Sequence, residues 1–161
     1  MKCLDCRIEM SKSEETIAYD ECGLEGITLE GVTVHRCPNC GGRTVGIRRI
    51  EGLHRTIAES LALRPERLGP AEFRFLRKYL GLSTADFARM MHLDPSTVSR
   101  IENKEKPQAI GDSLEQLLRM LVLTGKPVES YPLEEMGSKD RPARVSRTRY
   151  VAAADGWRAH A

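Results

Sequence analysis

Apolar positions recur at helical spacing in five stretches of the chain and at strand spacing in two. Ile50, Leu53, Ile57 and Leu61 mark one charged-faced helix, and Phe73, Leu76, Tyr79 and Leu80 mark another that Gly81 ends. Phe87, Ala88 and Met91 form the face of a short helix opened by the N-cap Ser83, with Asp86 three residues on. A second short helix starts at Asp94, where a carboxylate caps and Pro95 presets φ at the first helical position; its face is Val98 and Ile101, joined by Leu93 from the turn. Only His92 and Leu93 separate Met91 from that cap, so the two helices must cross steeply. The last helix is capped at Asp112 or Ser113, carries Leu114, Leu117, Leu118, Leu121 and Val122 on its apolar side, and is stopped by Gly125 and Pro127. That stripe is wider than one small core requires, which makes part of it a candidate dimer seam. Strand spacing is confined to Thr16 to Tyr19 and Ile27 to His35, where Gly31 interrupts the alternation and calls for a turn or bulge. Pro65 marks a domain boundary.

In the order Leu82, Ser83, Phe87, Ala88, Leu93, Ser96, Thr97, Val98, Ser99, Arg100, Ile101, Glu102, Asn103, the two short helices resemble the helix-turn-helix of Xre/Cro-type bacterial and phage repressors. Two positions depart from that pattern: the turn residue usually held by glycine is His92, and the glycine that often follows the second helix is Lys104. The resemblance implies double-stranded DNA as a partner. With Val98 and Ile101 facing inward, Ser96, Ser99 and Arg100 face out toward base edges, Arg100 gripping guanine O6 and N7, while Thr97 lies between core edge and contact. Ser83 and Thr84 are placed to meet phosphate at a helix N-terminus, and Asn103, Lys104 and Lys106 to lie along the backbone on the other flank. Glu102 has the wrong charge for DNA and is expected to orient a basic neighbour. One short helix reads few base pairs, so a homodimer on a pseudo-palindromic operator is expected.

Composition adds limits. The 161 residues are 40% hydrophobic but only 5% aromatic, so the cores should be small and aliphatic. A net charge of +2 does not by itself signal nucleic acid; from Ser138 onward six basic residues face two acids, a net +4, and Pro132, Gly137 and Pro142 make residues 128–161 read as a flexible basic tail carrying the single tryptophan, Trp157. The N-terminus lacks an apolar leader and no run approaches the length of a membrane span, so a cytoplasmic protein is expected.

All five cysteines lie in the first 46 residues: Cys3 and Cys6 in one CxxC, Cys37 and Cys40 in another, and Cys22 alone. A CxxC turn aims two thiolates at one metal, and two such knuckles offer a closed tetrahedral set suited to one structural zinc ion. Two disulfides are the competing reading, disfavoured in a reducing compartment. A catalytic zinc needs an open position that four thiolates do not leave, so no enzyme is expected; His35, beside the second knuckle, reads as a surface group or a support to the ligands. So few apolar residues cannot fold a sheet alone, and the metal should supply much of its stability.

The CxxC array, the phrase ECGLEGITLEGVTVHRCPNCGG and the segment RIEGLHRTIAESLA resemble the zinc-finger domain of MqsA (YgiT-type) antitoxins and their Xre-linked relatives, over about residues 1 to 125 with the helix pair included. This implies ligation by Cys3, Cys6, Cys37 and Cys40, with no counterpart for Cys22. Members neutralise a small toxin protein through the zinc half and bind their own promoter through the other; some have no established toxin. The expected fold is α+β: a zinc-ribbon-like β domain over 1–49, a connecting helix and linker over 50–68, an all-α helix-turn-helix domain over 69–127 and the tail. The expected function is a DNA-binding repressor of the antitoxin kind. The alternatives are a stand-alone regulator whose zinc module serves assembly or ligand sensing, and a CxxC redox protein.

Overall fold

The computed structural model describes residues 1–125, 149–153 and 156–160. These form an α+β chain: a three-stranded antiparallel sheet, five helices and a separate two-stranded hairpin.

The sheet comprises β1 (Ser11–Ala18), β2 (Thr28–Arg36) and β3 (Arg43–Gly46) in that spatial order. β1 begins five residues before the expected strand, over the polar run Ser11 to Glu15, because cross-strand groups hold it there. Ser11 Oγ donates to the Arg36 carbonyl (3.1 Å), and Arg36 clamps Glu15 through Nε (3.0 Å) and Nη2 (2.7 Å). Donation from Arg36 and then Ser13 holds the Glu15 carboxyl down at about 2. β3 was not expected from the sequence: its four exposed residues carry no alternation of their own and pair with β2 through Val34↔Val45 and its neighbours.

The interruption at Gly31 is a bulge. Glu15 pairs with Val32 but Ile17 with Leu29, so β2 carries one extra residue, and Gly31 sits at φ +68°, where a side chain would be strained. The extra residue shifts the phase so that Leu29 joins Val32 and Val34 on the face that packs with Ile17 and Ile47. Without it, Leu29 would turn to solvent.

The helices are α1 (Ile50–Leu63), α2 (Pro70–Tyr79), α3 (Thr84–Met90), α4 (Pro95–Ile101) and α5 (Asp112–Thr124). Their shared core is built on Phe73, Leu76, Phe87, Val98, Ile101 and Leu118, all at most 2% exposed; Phe73 and Phe87 meet edge to face, 5.4 Å between centroids. α1, expected as a connector, packs into this core through Ala58, Leu61 and Ala62. Its C-terminal carbonyls need donors, and Arg119 of α5 supplies them, reaching the Leu61, Ala62 and Arg64 carbonyls at 2.6–3.2 Å. Glu115 organises the same corner. It accepts from Arg119 (2.7 Å) and the Leu68 amide (3.1 Å) and forms an ion pair with Arg67 (2.7 Å) while 4% exposed. Burial pushes its pKa up, but those donors and charges outweigh it and hold the carboxyl below its ordinary range.

The sheet is tied to the helices by the loop between β1 and β2. Leu24, 3% exposed, is buried in the helical core with Cys22 and Ile27 against it, and Tyr19 Oη lies 2.8 Å from His54 Nε2 on α1.

Part of the expected flexible tail is paired. β4 (Arg149–Ala153) and β5 (Gly156–His160) form an antiparallel hairpin, registered from Arg149↔His160 to Ala153↔Gly156. Tyr150, Val151 and Trp157 are residue types that favour extended backbone. The rest of that expectation falls on residues outside the described ones. Among the described residues no helix is long and apolar enough to cross a membrane.

Candidate metal centre and helix-pair surface

Two knuckles with the same backbone wiring bring the four CxxC cysteines together. In each, the first cysteine donates its amide five residues on, Cys3 to Ile8 O (2.9 Å) and Cys37 to Gly42 O (2.8 Å). In each, its carbonyl accepts from four residues on, Arg7 N and Gly41 N, both at 3.0 Å. The residue closing the turn is left-handed in both, φ +71° at Gly41 and +56° at Arg7. Glycine takes that conformation freely, whereas arginine is strained in it. Arg7→Gly should therefore raise the stability of the metal-loaded chain by up to about 1 kcal/mol, read as a higher urea midpoint at unchanged slope. A fall in the midpoint would mean that the Arg7 side chain contributes more than its backbone costs.

The four sulfurs all lie within 4.8 Å of one another, with Cys6–Cys37 at 3.2 Å and Cys3–Cys40 and Cys6–Cys40 at 3.6 Å. Four thiolates about 2.3 Å from one tetrahedral ion stand about 3.8 Å apart, so the residues fit a single metal ion. Cys3 and Cys37 are buried with Met10 in a core of three residues, while Cys40 is exposed. The thiols split in acidity. Backbone donation from Cys40 and a bond with Cys6 draw Cys37 down to about 6. Cys40 has a favourable amide at Gly42, but the sulfurs of Cys37, Cys3 and Cys6 crowd it and push it up to about 12. Four adjacent sulfurs cannot all ionise unaided, and a bound cation removes that conflict.

Cys22 is remote from this cluster, its Sγ 3.6 Å from the Tyr19 carbonyl. His35 Nδ1 is buried with no hydrogen-bond partner among the described residues.

The second candidate surface is the α3–α4 pair. Ser83 Oγ accepts the Asp86 amide (3.0 Å), and Asp94 accepts the Ser96 amide (2.7 Å). His92 takes the left-handed turn position at φ +52°, with the Leu93 amide returning to the Ala88 carbonyl at 2.8 Å. Ala88 is fully buried between the helices. Val98 and Ile101 face the core; Ser96, Ser99 and Arg100 are exposed together, and Thr97 is half-buried, accepting from Arg100 Nη2 at 3.2 Å. Ser83 is exposed and also donates to Asp86 Oδ2 (2.5 Å), and Thr84 is half-buried beside it. Asn103 is committed locally, its Oδ1 accepting the amides of Glu105 (2.9 Å) and Lys106 (3.0 Å). Lys106 is exposed, while Lys104 Nζ lies 3.4 Å from Glu25 of the β1–β2 loop.

Glu102 turns inward. Arg77 of α2, 4% exposed, grips it through Nε (2.6 Å) and Nη2 (3.0 Å) and gives Nη1 to the Leu82 carbonyl (2.6 Å). Arg77 thereby joins α2, the entry to α3 and the end of α4. Sequence reasoning missed it, although its place four residues after Phe73 put it on the inner face of α2. Leu24 and Arg119 were also missed, since neither sits in a periodic apolar run.

No family model, curated protein or solved structure matches this chain.

Proposed function

We propose that this protein is a sequence-specific DNA-binding repressor with one structural zinc ion, reading an operator through α3 and α4 and meeting a protein partner through the metal-bearing sheet. The observation that carries the DNA half is one exposed face on α4. Ser96, Ser99 and Arg100 stand on it while Val98 and Ile101 anchor the opposite side, so the helix can enter a major groove without unpacking. The helix-turn-helix resemblance supports the same reading, and the antitoxin resemblance supports a small toxin as the partner.

Zinc is favoured by four sulfurs at one point, which leave no position for substrate or water. A redox role is disfavoured because the sulfurs of the two CxxC pairs converge on one point, with contacts of 3.2–3.6 Å running between the pairs. Leu117, Met120 and Leu123 on α5 are 40%, 58% and 40% exposed, which suits a two-fold contact between copies of this helix and hence a pseudo-palindromic operator. The reading of a stand-alone regulator is kept in view by Leu24, because a loop of the sheet buried in the helical core can serve assembly alone.

The test separates base reading from charge. Arg100→Ala should weaken operator binding by about 1 to 3 kcal/mol and relax preference at one base pair, since a guanidinium spanning two acceptors on guanine is lost. Lys106→Ala should weaken operator and scrambled duplex alike and lower the salt slope by about one. Lys104→Ala should do less, because its ammonium already faces Glu25. Titrations at several salt concentrations read all three variants. If Arg100→Ala lowers binding to operator and scrambled duplex by one common factor, Arg100 is a phosphate clamp and reading falls to Ser96 and Ser99.

A further inference from the structure

The sheet has an edge that its own strands leave half open. β2 is paired with β1 at both of its ends, on either side of the bulge at Glu30 and Gly31, but β3 covers only Thr33 to Arg36 and leaves the sheet after Gly46. The Ile27 carbonyl faces β1, accepting from Tyr19 N at 2.8 Å, so by strand alternation Thr28 and Glu30 turn their N–H and C=O groups to the side β3 has vacated. Neither residue has a backbone partner there among the described residues. A cavity of about 390 Å³ runs along this edge, between Thr28–Thr33 and the departing chain Gly46–Arg48, with Leu53 of α1 behind it.

The two sides of the slot differ in chemistry. Glu14 and Glu30 stand exposed on the outer face of the sheet, and neither carboxylate has an ion-pair partner among the described residues. Leu29, Ile47 and Leu53, each half-buried, line the opposite side.

We propose that this slot receives an extended strand of a protein partner that adds to β2 in line with β3. Its backbone pairs with Thr28 and Glu30; alternate side chains are basic toward Glu14 and Glu30 and aliphatic toward Leu29, Ile47 and Leu53. Period two along a strand makes that alternation the recognition rule: the main-chain bonds hold the partner and the two faces select its sequence. The inference deepens the partner-binding half of the proposed function and is independent of DNA binding, so a chain that ignores every duplex can still pass its test.

The experiment uses the metal-loaded full chain and a short peptide alternating lysine and valine, followed by amide hydrogen exchange and heteronuclear NMR. The amides of Thr28 and Glu30 should exchange rapidly in the free chain and slow by at least about tenfold with the peptide bound. A matched peptide alternating glutamate and valine should fail, and the double variant Glu14→Lys, Glu30→Lys should reverse that preference. Protection of both amides in the free chain at every concentration would overturn the proposal, because the edge would already be filled. Protection that rises with protein concentration would also overturn it, the occupant then being a second copy. Peptide binding that leaves these two amides fast, or a charge-swapped variant that keeps the original preference, would do the same.

Discussion

Removing the metal unfolds the sheet and leaves the helices folded: that is the expected result of chelation, and Cys37→Ser should reproduce it. The apolar groups that the sheet buries for itself are two clusters of three, Cys3, Met10 and Cys37 in one and Ile17, Val32 and Val34 in the other. Two clusters of that size bury too little apolar surface to offset the entropy of ordering the backbone of the sheet. The ligands of a structural zinc ion come together only in the folded unit, so the free energy of metal binding becomes folding free energy. The helical core, built on Phe73, Leu76, Phe87, Val98, Ile101 and Leu118, has no such dependence. Hydrogen exchange should therefore show amide protection lost across β1, β2 and β3 and kept in α2, α4 and α5. The boundary will not be clean, because Leu24 and Ile27 leave the helical core with the sheet, and α1 should loosen where Tyr19 met His54. Metal analysis on protein purified without added metal should find about one zinc ion per chain. If the sheet amides stay protected once the metal is gone, the four sulfurs are not what holds this unit, and if Cys22→Ser releases the metal as readily as Cys37→Ser, the ligands are wrongly assigned.

Arg77→Ala is the substitution expected to damage the helical unit most. It removes both bonds to Glu102 and the bond to the Leu82 carbonyl, leaving a carboxylate that is 10% exposed with Arg74, 3.8 Å away and itself half in solvent, as the one remaining cation among the described residues. Removing one partner of a buried pair costs about 3–5 kcal/mol, because the other charge stays desolvated. Replacing both partners, as in the Arg77→Met, Glu102→Leu double variant, should recover much of that loss by leaving no charge behind. Urea unfolding followed by helical circular dichroism measures both, and a loss under about 1 kcal/mol for Arg77→Ala would show that the pair is solvated in practice. The consequence reaches the proposed DNA surface. Glu102 ends α4, so freeing it loosens the helix that presents Arg100.

Much of this was legible from residue types and spacing. The cysteine set is a local pattern, two residues between partners in each pair, and nothing distant is needed to see that each turn aims its sulfurs together. The helices from Phe73 onward have apolar faces at a single period, and the caps Ser83 and Asp94 announce themselves because a short polar side chain before an apolar run has one evident use. Gly31 was legible as an interruption, because a one-residue shift of phase inside an alternating run has few physical solutions. The left-handed turn at His92 was legible only through the helix-turn-helix resemblance, since His is permitted there but not demanded.

The residues that escaped are those whose role depends on partners far away along the chain. Arg77, Arg119 and Glu115 are charged residue types that ordinarily stay in solvent, and here Arg77 and Glu115 are buried and Arg119 half-buried because the groups that satisfy them arrive from another element. Leu24 is one apolar residue in a polar loop, and its burial is decided by the α1–α2 surface that meets it. β3 exists because β2 offers it an edge, not through any periodicity in Arg43 to Gly46. By itself the sequence determined which segments are helical, where α3 and α4 start, which four sulfurs belong together and which face of α4 is polar, since these follow from backbone periodicity and short-range capping; α5 starts a residue earlier than expected, with Gly111 in the cap position and Asp112 inside the helix. Only the tertiary structure decided that the sheet is anchored in the helical core, which charges are buried in pairs, and that β2 keeps half an edge open. Those outcomes depend on which surfaces meet, and burial, unlike periodicity, is a property of the assembled chain.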